Sequence, residues 1–437
     1  MRSRRLVLAA ILVCCVVGRG AYALHLAHTG EIVAERGDTP TYLGPARELA
    51  EHGRFQDPGT PPTPEFIRTP GYPAFVAVVY RVFGVGDNTA VVLVQVLLSG
   101  ASVLLAYLLA TRMWSAPVGL LAALFTALEP LQNATSATLL TETLSAFVLL
   151  AAALVGFDAL RDDEPRALPW ALLGLVLAVA TLVRPITYYL PVLVLLLLVA
   201  RYARRVAWGE IAKVAVAFLL PIVVLVGGWQ LRNHERVDSW RVSGIEGKNL
   251  YQYRAAGVVA ANSGMTLLEA KDKLVADFGP RGTESEGSYY DRMHRAGVRI
   301  LRDHPVQALE DSLQGLRSEL FAVRSKFFEY LGVQPVPDAV VYGALAGLLV
   351  FYAACLYGIA LVIRERRNLY AHAFVLGIAV YVLLVSAGPE AFGGRGERFR
   401  APIVPILVLY AAYGAYAAWQ RFERTRLNRR ARQASIA

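Results

Sequence analysis

A small set of charged side chains in this chain is hard to explain by structure alone. Asp38 stands before Thr39-Pro40. An aspartate there can cap the free N–H groups of a starting helix. Held at a membrane surface, the same carboxylate can also act as a general base. Downstream, Phe66-Ile-Arg-Thr-Pro-Gly-Tyr-Pro73 reads as a rigid turn that sets Arg68 and Tyr72 beside a helix. Glu142, in Thr141-Glu142-Thr143, falls just inside an apolar run. An ionisable residue there is costly and marks function unless it snorkels to the surface. Arg184 interrupts another apolar block, and Gly394-Arg-Gly-Glu-Arg-Phe-Arg400 gathers Arg395, Arg398 and Arg400 around Glu397. The forked donors of arginine suit phosphate oxygens, and Glu397 reads as their partner. A solvated charge run is the plainer reading of that stretch. Taken together, a carboxylate and several arginines would serve a phosphate-bearing lipid whose head group reacts at the membrane surface.

The elements that must position these residues are membrane spans. Of 437 residues 56% are hydrophobic, and the mean hydropathy is +0.44. A soluble chain of this length needs a more polar surface. The pattern predicts an all-α polytopic membrane protein. Its spans fall near 6–27, 88–110, 116–131, 138–157, 168–183, 185–200, 211–229, 338–363, 370–388 and 400–420. That makes about ten transmembrane helices. The first run could pass for a signal peptide, but its length and the lack of a small-x-small site favour a retained span.

The net charge of +10 is no nucleic-acid signal, because the basic residues cluster between apolar runs. Arg2, Arg4 and Arg5, the Arg201–Lys213 cluster, Arg364, Arg366 and Arg367, and the basic tail all fall on one side. That side is cytoplasmic by the positive-inside trend, so both termini are cytoplasmic in a multi-pass plasma (inner) membrane protein. Arg184, Arg395, Arg398 and Arg400 fall on the other side. As one helix, residues 168–200 would be about 50 Å long, too long for a core of about 30 Å. A tight hairpin with Arg184 at the outer surface keeps every later basic cluster inside.

Two long segments remain, both extracytoplasmic. In 28–87, a helix should start at Asp38-Thr-Pro40 and stop at Gly53, with Tyr42, Leu43, Ala46, Leu49 and Ala50 on one face. A second, Pro73 to Phe83, would lie on the membrane through Phe75, Val78, Val79, Val82 and Phe83. In 230–337, amphipathic helices are expected over 289–303 and 306–330, broken at Pro305. The chain thus divides into an N-terminal transmembrane module (1–229), an outer helical segment (230–337) and a C-terminal three-span module (338–437). Cys14, Cys15 and Cys355 all lie in apolar runs without metal-ligand spacing.

The order of these motifs resembles the GT-C superfamily of integral membrane glycosyltransferases. The features are an acidic residue early in a long first outer loop, Arg68-Thr-Pro-Gly-Tyr-Pro73, Thr141-Glu142, Leu182-Val-Arg-Pro185 and Glu397-Arg-Phe-Arg-Ala-Pro402. The branch is that of bacterial relatives of protein O-mannosyltransferases and of the lipid A aminoarabinose transferase. The latter carries an acidic residue before its Pro-Pro turn, where this chain has Arg68. The resemblance implies inverting transfer of a sugar from a polyprenyl-phosphate-linked donor to an acceptor hydroxyl. Asp38 would be the base, with Glu35 a second acidic candidate. Arg395, Arg398, Arg400 and Arg184 would hold the donor phosphate. Glu35, Tyr42, Arg68, Tyr72, Glu142 and Glu397 would line the substrate site. Polyprenyl phosphate is then the lipid partner, and the acceptor a glycan, lipid or protein. No cofactor is obligatory; a phosphate leaving group held by arginines needs no obligatory metal, and a divalent metal stays an open alternative. A lipid or solute transporter is the rival reading, although the charges collect at one surface rather than at mid-membrane.

Overall fold

The computed structural model describes residues 2–30, 37–59, 62–323, 336–391 and 396–434. Helices build it, with one two-residue strand pair, Gln56–Asp57 against Thr63–Pro64. In chain order the first helices are α1 (Arg2–Thr29), α2 (Pro40–His52), α3 (Gly71–Phe83), α4 (Asn88–Met113), α5 (Ala116–Leu128), α6 (Pro130–Ser136), α7 (Glu142–Arg161), α8 (Ala167–Val183), α9 (Leu190–Tyr202) and α10 (Trp208–Ile222). Then follow α11 (Gly228–Val237), α12 (Ile245–Asn249), α13 (Ala256–Ser263), α14 (Leu267–Phe278), α15 (Glu286–Asp303) and α16 (Pro305–Phe321). The last are α17 (Asp338–Glu365), α18 (Leu369–Ser386), α19 (Gly396–Arg400) and α20 (Val404–Ala434).

Among the described residues eight helices are long and apolar enough to cross a membrane, so the chain is a multi-pass integral membrane protein. The other two expected spans correspond to α5, of 13 residues, and α8, of 17 residues. Helix α5 stops early because Glu129 precedes Pro130 and is extended, at φ −64° and ψ 120°; a residue before proline is pushed out of the helical region. The seventh expected span runs further than 229. It continues through a π-helical turn, Val223–Gly227, into α11. Pro221 lies two residues before that stretch, where a missing N–H loosens the ladder.

The hairpin over 168–200 is present. Arg184 is extended between α8 and a 3-10 turn, Pro185–Thr187. At this end Arg184 reaches Glu142, the first residue of α7. At the far end Arg201 donates to the Leu160 carbonyl at 3.3 Å and pairs with Asp163 at 3.0 Å. The two ends of α7 therefore show that α9 retraces the path of α8. Small residues let the bundle close. A Cβ on Gly174 would stand 1.9 Å from the Phe218 carbonyl oxygen of α10. Gly174→Val is expected to cost about 1–3 kcal/mol through overpacking, read as a lower unfolding midpoint in detergent. Gly209→Val, with open space around it, should leave that midpoint near wild type.

Outside the bundle, Gly53 ends α2 at φ 68°, as expected. Tyr42, Leu43 and Ala46 are buried, packed with Tyr72, Val76 and Val79 of α3. Val79 thus belongs to the inner face of α3. The outward apolar residues are Val78, Val82 and Phe83. Helix α15 begins three residues before the expected 289, and α16 ends at Phe321. Residues 324–330 of that expected helix lie outside the described residues.

Candidate active site

Asp38 sits in the turn leading into α2. Its carbonyl, not its carboxylate, accepts from Thr41 N–H, at 3.1 Å. The capping role is therefore not taken up by the side chain, which is free to point elsewhere. One carboxylate oxygen accepts from Arg68 Nη2 at 2.8 Å, and the other from Arg398 Nη1 at 3.0 Å. Arg398 turns its Nε to Glu142 Oε1 at 2.6 Å, and Arg184 Nη1 stands 3.6 Å from the same oxygen. The result is a line of alternating charge: Arg68, Asp38, Arg398, Glu142, Arg184. Four chain segments far apart in sequence meet there.

Each member is held from behind. Arg68 lies over the Tyr42 ring, 4.4 Å from its centroid, and donates to Tyr42 Oη at 3.0 Å and Thr41 Oγ1 at 2.9 Å. Glu142 is 1% exposed. The stretch before it is pinned by Gln95, whose amide donates to the Thr138 carbonyl at 2.7 Å. Gln132 donates to the Ala401 carbonyl at 2.6 Å and so fixes the segment after Arg398.

Asp38 stays half-exposed. Burial alone would raise its pKa, but Arg398 and Arg68 outweigh that and draw it down to about 2. Its carboxylate is thus ionised at every physiological pH. It contributes stability above the ordinary aspartate range that is lost as pH falls towards 2.

Not every expected site residue joins this line. Tyr72 is fully buried, gives its hydroxyl to Gln95 Oε1 at 2.9 Å and packs edge-on against Tyr42 at 5.3 Å. It supports the site from behind and does not line it. Arg400 also departs from expectation. It is 6% exposed and donates to the carbonyls of Glu319, at 2.8 Å, and Leu320, at 2.5 Å. A cation at the C-terminal end of α16 satisfies carbonyls that have no partner within the helix. Arg400 therefore fastens α16 and is turned away from Arg398. Glu397 is buried. Glu35 and Arg395 lie outside the described residues. Among the described residues no group of three or more His, Cys, Asp or Glu could hold a metal ion.

Two features escaped the sequence reading. Arg19, inside α1, is 4% exposed and donates to Asn133 Oδ1 at 2.5 Å and to the Thr126 carbonyl at 2.9 Å. It ties α1 to α5 and α6. Its signal was an arginine within an otherwise apolar span. The second is Glu65, buried three residues before Arg68, whose amide it accepts at 2.7 Å. Burial pushes the Glu65 carboxyl up to about 7. The unfolded chain loses this proton near pH 4.5 while the folded chain keeps it, so stability falls as pH rises from about 4.5 to 7. Glu65→Gln should flatten that slope in unfolding midpoints measured across the window.

Comparison with known proteins agrees with the motifs. Residues 67–229 match the family of dolichyl-phosphate-mannose-protein mannosyltransferases. The Archaeoglobus fulgidus oligosaccharyltransferase, solved tethered to an acceptor peptide with the NVT sequon, shares the fold at a TM-score of 0.54 and 12% identity. That match covers 95% of this chain and 50% of the other. The same archaeal enzyme with an inhibitory peptide and a dolichol-phosphate gives 0.51 and 12%, over 96% and 52%. This chain thus spans about half the length of the oligosaccharyltransferase it matches. ArnT from Cupriavidus metallidurans bound to undecaprenyl phosphate scores 0.42 at 14% identity, over 94% and 78%, too low to argue a shared fold. No curated protein matches the chain by sequence. The family match over 67–229 and the fold shared with the archaeal oligosaccharyltransferase agree with the resemblance to GT-C membrane glycosyltransferases.

Proposed function

We propose that the protein moves a sugar from a polyprenyl-phosphate-linked donor to an acceptor hydroxyl at the extracytoplasmic membrane surface, with inversion. The observation that carries this reading is the line from Arg68 through Asp38, Arg398 and Glu142 to Arg184. It gathers a half-exposed carboxylate and three arginines at one end of the bundle. Asp38 takes the proton of the acceptor hydroxyl as its oxygen attacks the anomeric carbon. The bond from that carbon to the phosphate oxygen breaks, and polyprenyl phosphate leaves with the negative charge. Arg398, with Arg184 and Arg395, receives that charge. Arg68 orients Asp38. Guanidinium groups supply the electrostatic stabilisation, so the scheme needs no resident cofactor.

The topology that suits this chemistry has ten crossings, with α5 and α8 as short spans and both termini cytoplasmic. The site then faces outward, where a lipid-linked sugar and an acceptor on a glycan, lipid or protein can meet. The purified chain in proteoliposomes, given a radiolabelled polyprenyl-phosphate sugar and an envelope extract, should transfer label to acceptor. Movement of the lipid across the bilayer without transfer would favour a transporter instead.

A further inference from the structure

The end of the bundle away from Asp38 holds a cavity. Helices α17 and α20 cross closely at two glycines: a Cβ on Gly358 would meet the Tyr410 carbonyl oxygen at 2.1 Å, and one on Gly414 the Ala354 carbonyl oxygen at 2.0 Å. Beyond that crossing a cavity of about 490 Å³ opens between them, closed on its other side by the α4–α5 connection. Met113, Val118, Val362 and His372 line it and are themselves buried. Trp114, stacked on Tyr413 at 4.5 Å, walls one side. Arg112 pairs with Asp158 near the end of α7, so this level lies a full helix length from Glu142.

The mouth is basic. Arg364, Arg367, Arg421 and Arg424 line the cavity, and all four are exposed. Among the described residues none of these guanidinium groups has a hydrogen-bond or ion-pair partner. Glu365, the one acid lining it, is engaged by the Tyr413 hydroxyl. Four cations therefore face one occupied carboxylate. The positive-inside trend sets only the side on which basic residues gather; here four arginines also rim a concavity walled by Trp114 and Tyr413. On the outer side of α20, Trp419 and Phe422 are 57% and 65% exposed. Exposed aromatic rings of this kind mark the level where lipid meets water.

We propose that this cavity binds the phosphate head group of an anionic membrane lipid. Basic pockets between spanning helices suit such head groups, and the volume falls in the ordinary range for a small ligand. The arginines take the phosphate oxygens, Trp114 and Tyr413 flank the ester-linked part, and the acyl chains leave along α20 past Trp419 and Phe422. The site is separate from the one built on Asp38 and does not depend on the transfer reaction.

The test uses the full chain in detergent and in nanodiscs. Its thermal midpoint and retained lipid are measured with phosphatidylglycerol, phosphatidylcholine or inorganic phosphate as probe. Phosphatidylglycerol should bind and raise the midpoint; the other two should not. Arg364→Gln with Arg367→Gln, or Arg421→Gln with Arg424→Gln, should each weaken that binding about thirtyfold, taking about 1 kcal/mol per basic residue. Ala417→Phe keeps every charge but fills the cavity, and it too should lose the lipid. Undiminished binding in Ala417→Phe would reduce the effect to surface charge and overturn the site. Equal binding of phosphatidylcholine, or an equal response to inorganic phosphate, would also overturn it.

Discussion

Asp38→Asn is expected to lower sugar transfer by about 10²–10⁴-fold, the range of a lost general base, while the protein still folds and inserts. The amide keeps the shape of the side chain but cannot take a proton from the acceptor. Asp38 is half-exposed and stands in a turn, so the fold does not depend on it as it does on buried Glu142. Binding of polyprenyl phosphate should survive, since Arg398 and Arg184 remain. Turnover like wild type would sink the assignment. The pH profile adds a second reading. In the free protein Arg398 and Arg68 hold Asp38 at about 2, so kcat/KM should show no acidic limb from this group until about pH 2–3. Once a donor phosphate draws Arg398 away, one of the two restraining charges is gone. The limb in kcat, which reports the loaded enzyme, should then stand at higher pH than the limb in kcat/KM. Coinciding limbs would mean that Arg398 does not change partners.

The contacts of Arg398 also show how far the sequence could be read. Asp38, Arg68, Glu142, Arg184 and Arg398 could each be singled out, because a charge inside or beside an apolar run is conspicuous. Their mutual geometry was not available. Nothing in the spacing says that Arg398 would touch both Asp38 and Glu142, residues 360 and 256 positions away. The same limit explains Arg400. Two residues apart on a short helix, Arg398 and Arg400 point to different faces, and only the packing of α16 shows that Arg400 meets carbonyls. Tyr72 carried a hydroxyl near the right loop, but Gln95 claims it from another helix. The span pattern was the most legible layer, since apolar runs are local. Its errors fall at Glu129-Pro130 and Pro221, where a backbone effect overrides composition.

Arg398→Gln should be the most damaging single change at the site, for two separable reasons. It removes the donor proposed for the leaving phosphate, an expected loss of about 10²–10³-fold in turnover, and it frees Asp38 from one side. It also strips Glu142 of its 2.6 Å partner. A buried carboxylate whose partner is removed costs about 3–5 kcal/mol. Arg184, at 3.6 Å from the same oxygen, still faces it, so the low end of that range is expected. The two effects come apart in the double variant Arg398→Gln, Glu142→Gln. A neutral pair no longer buries an unmatched charge, so the unfolding midpoint should return towards wild type while transfer stays low. The coupling energy between the two positions, taken from the cycle of single and double variants, should be favourable for stability. If the double variant regained transfer as well as stability, Arg398 would be a structural ion-pair partner, and the phosphate would have to be met by Arg184 and Arg395 alone.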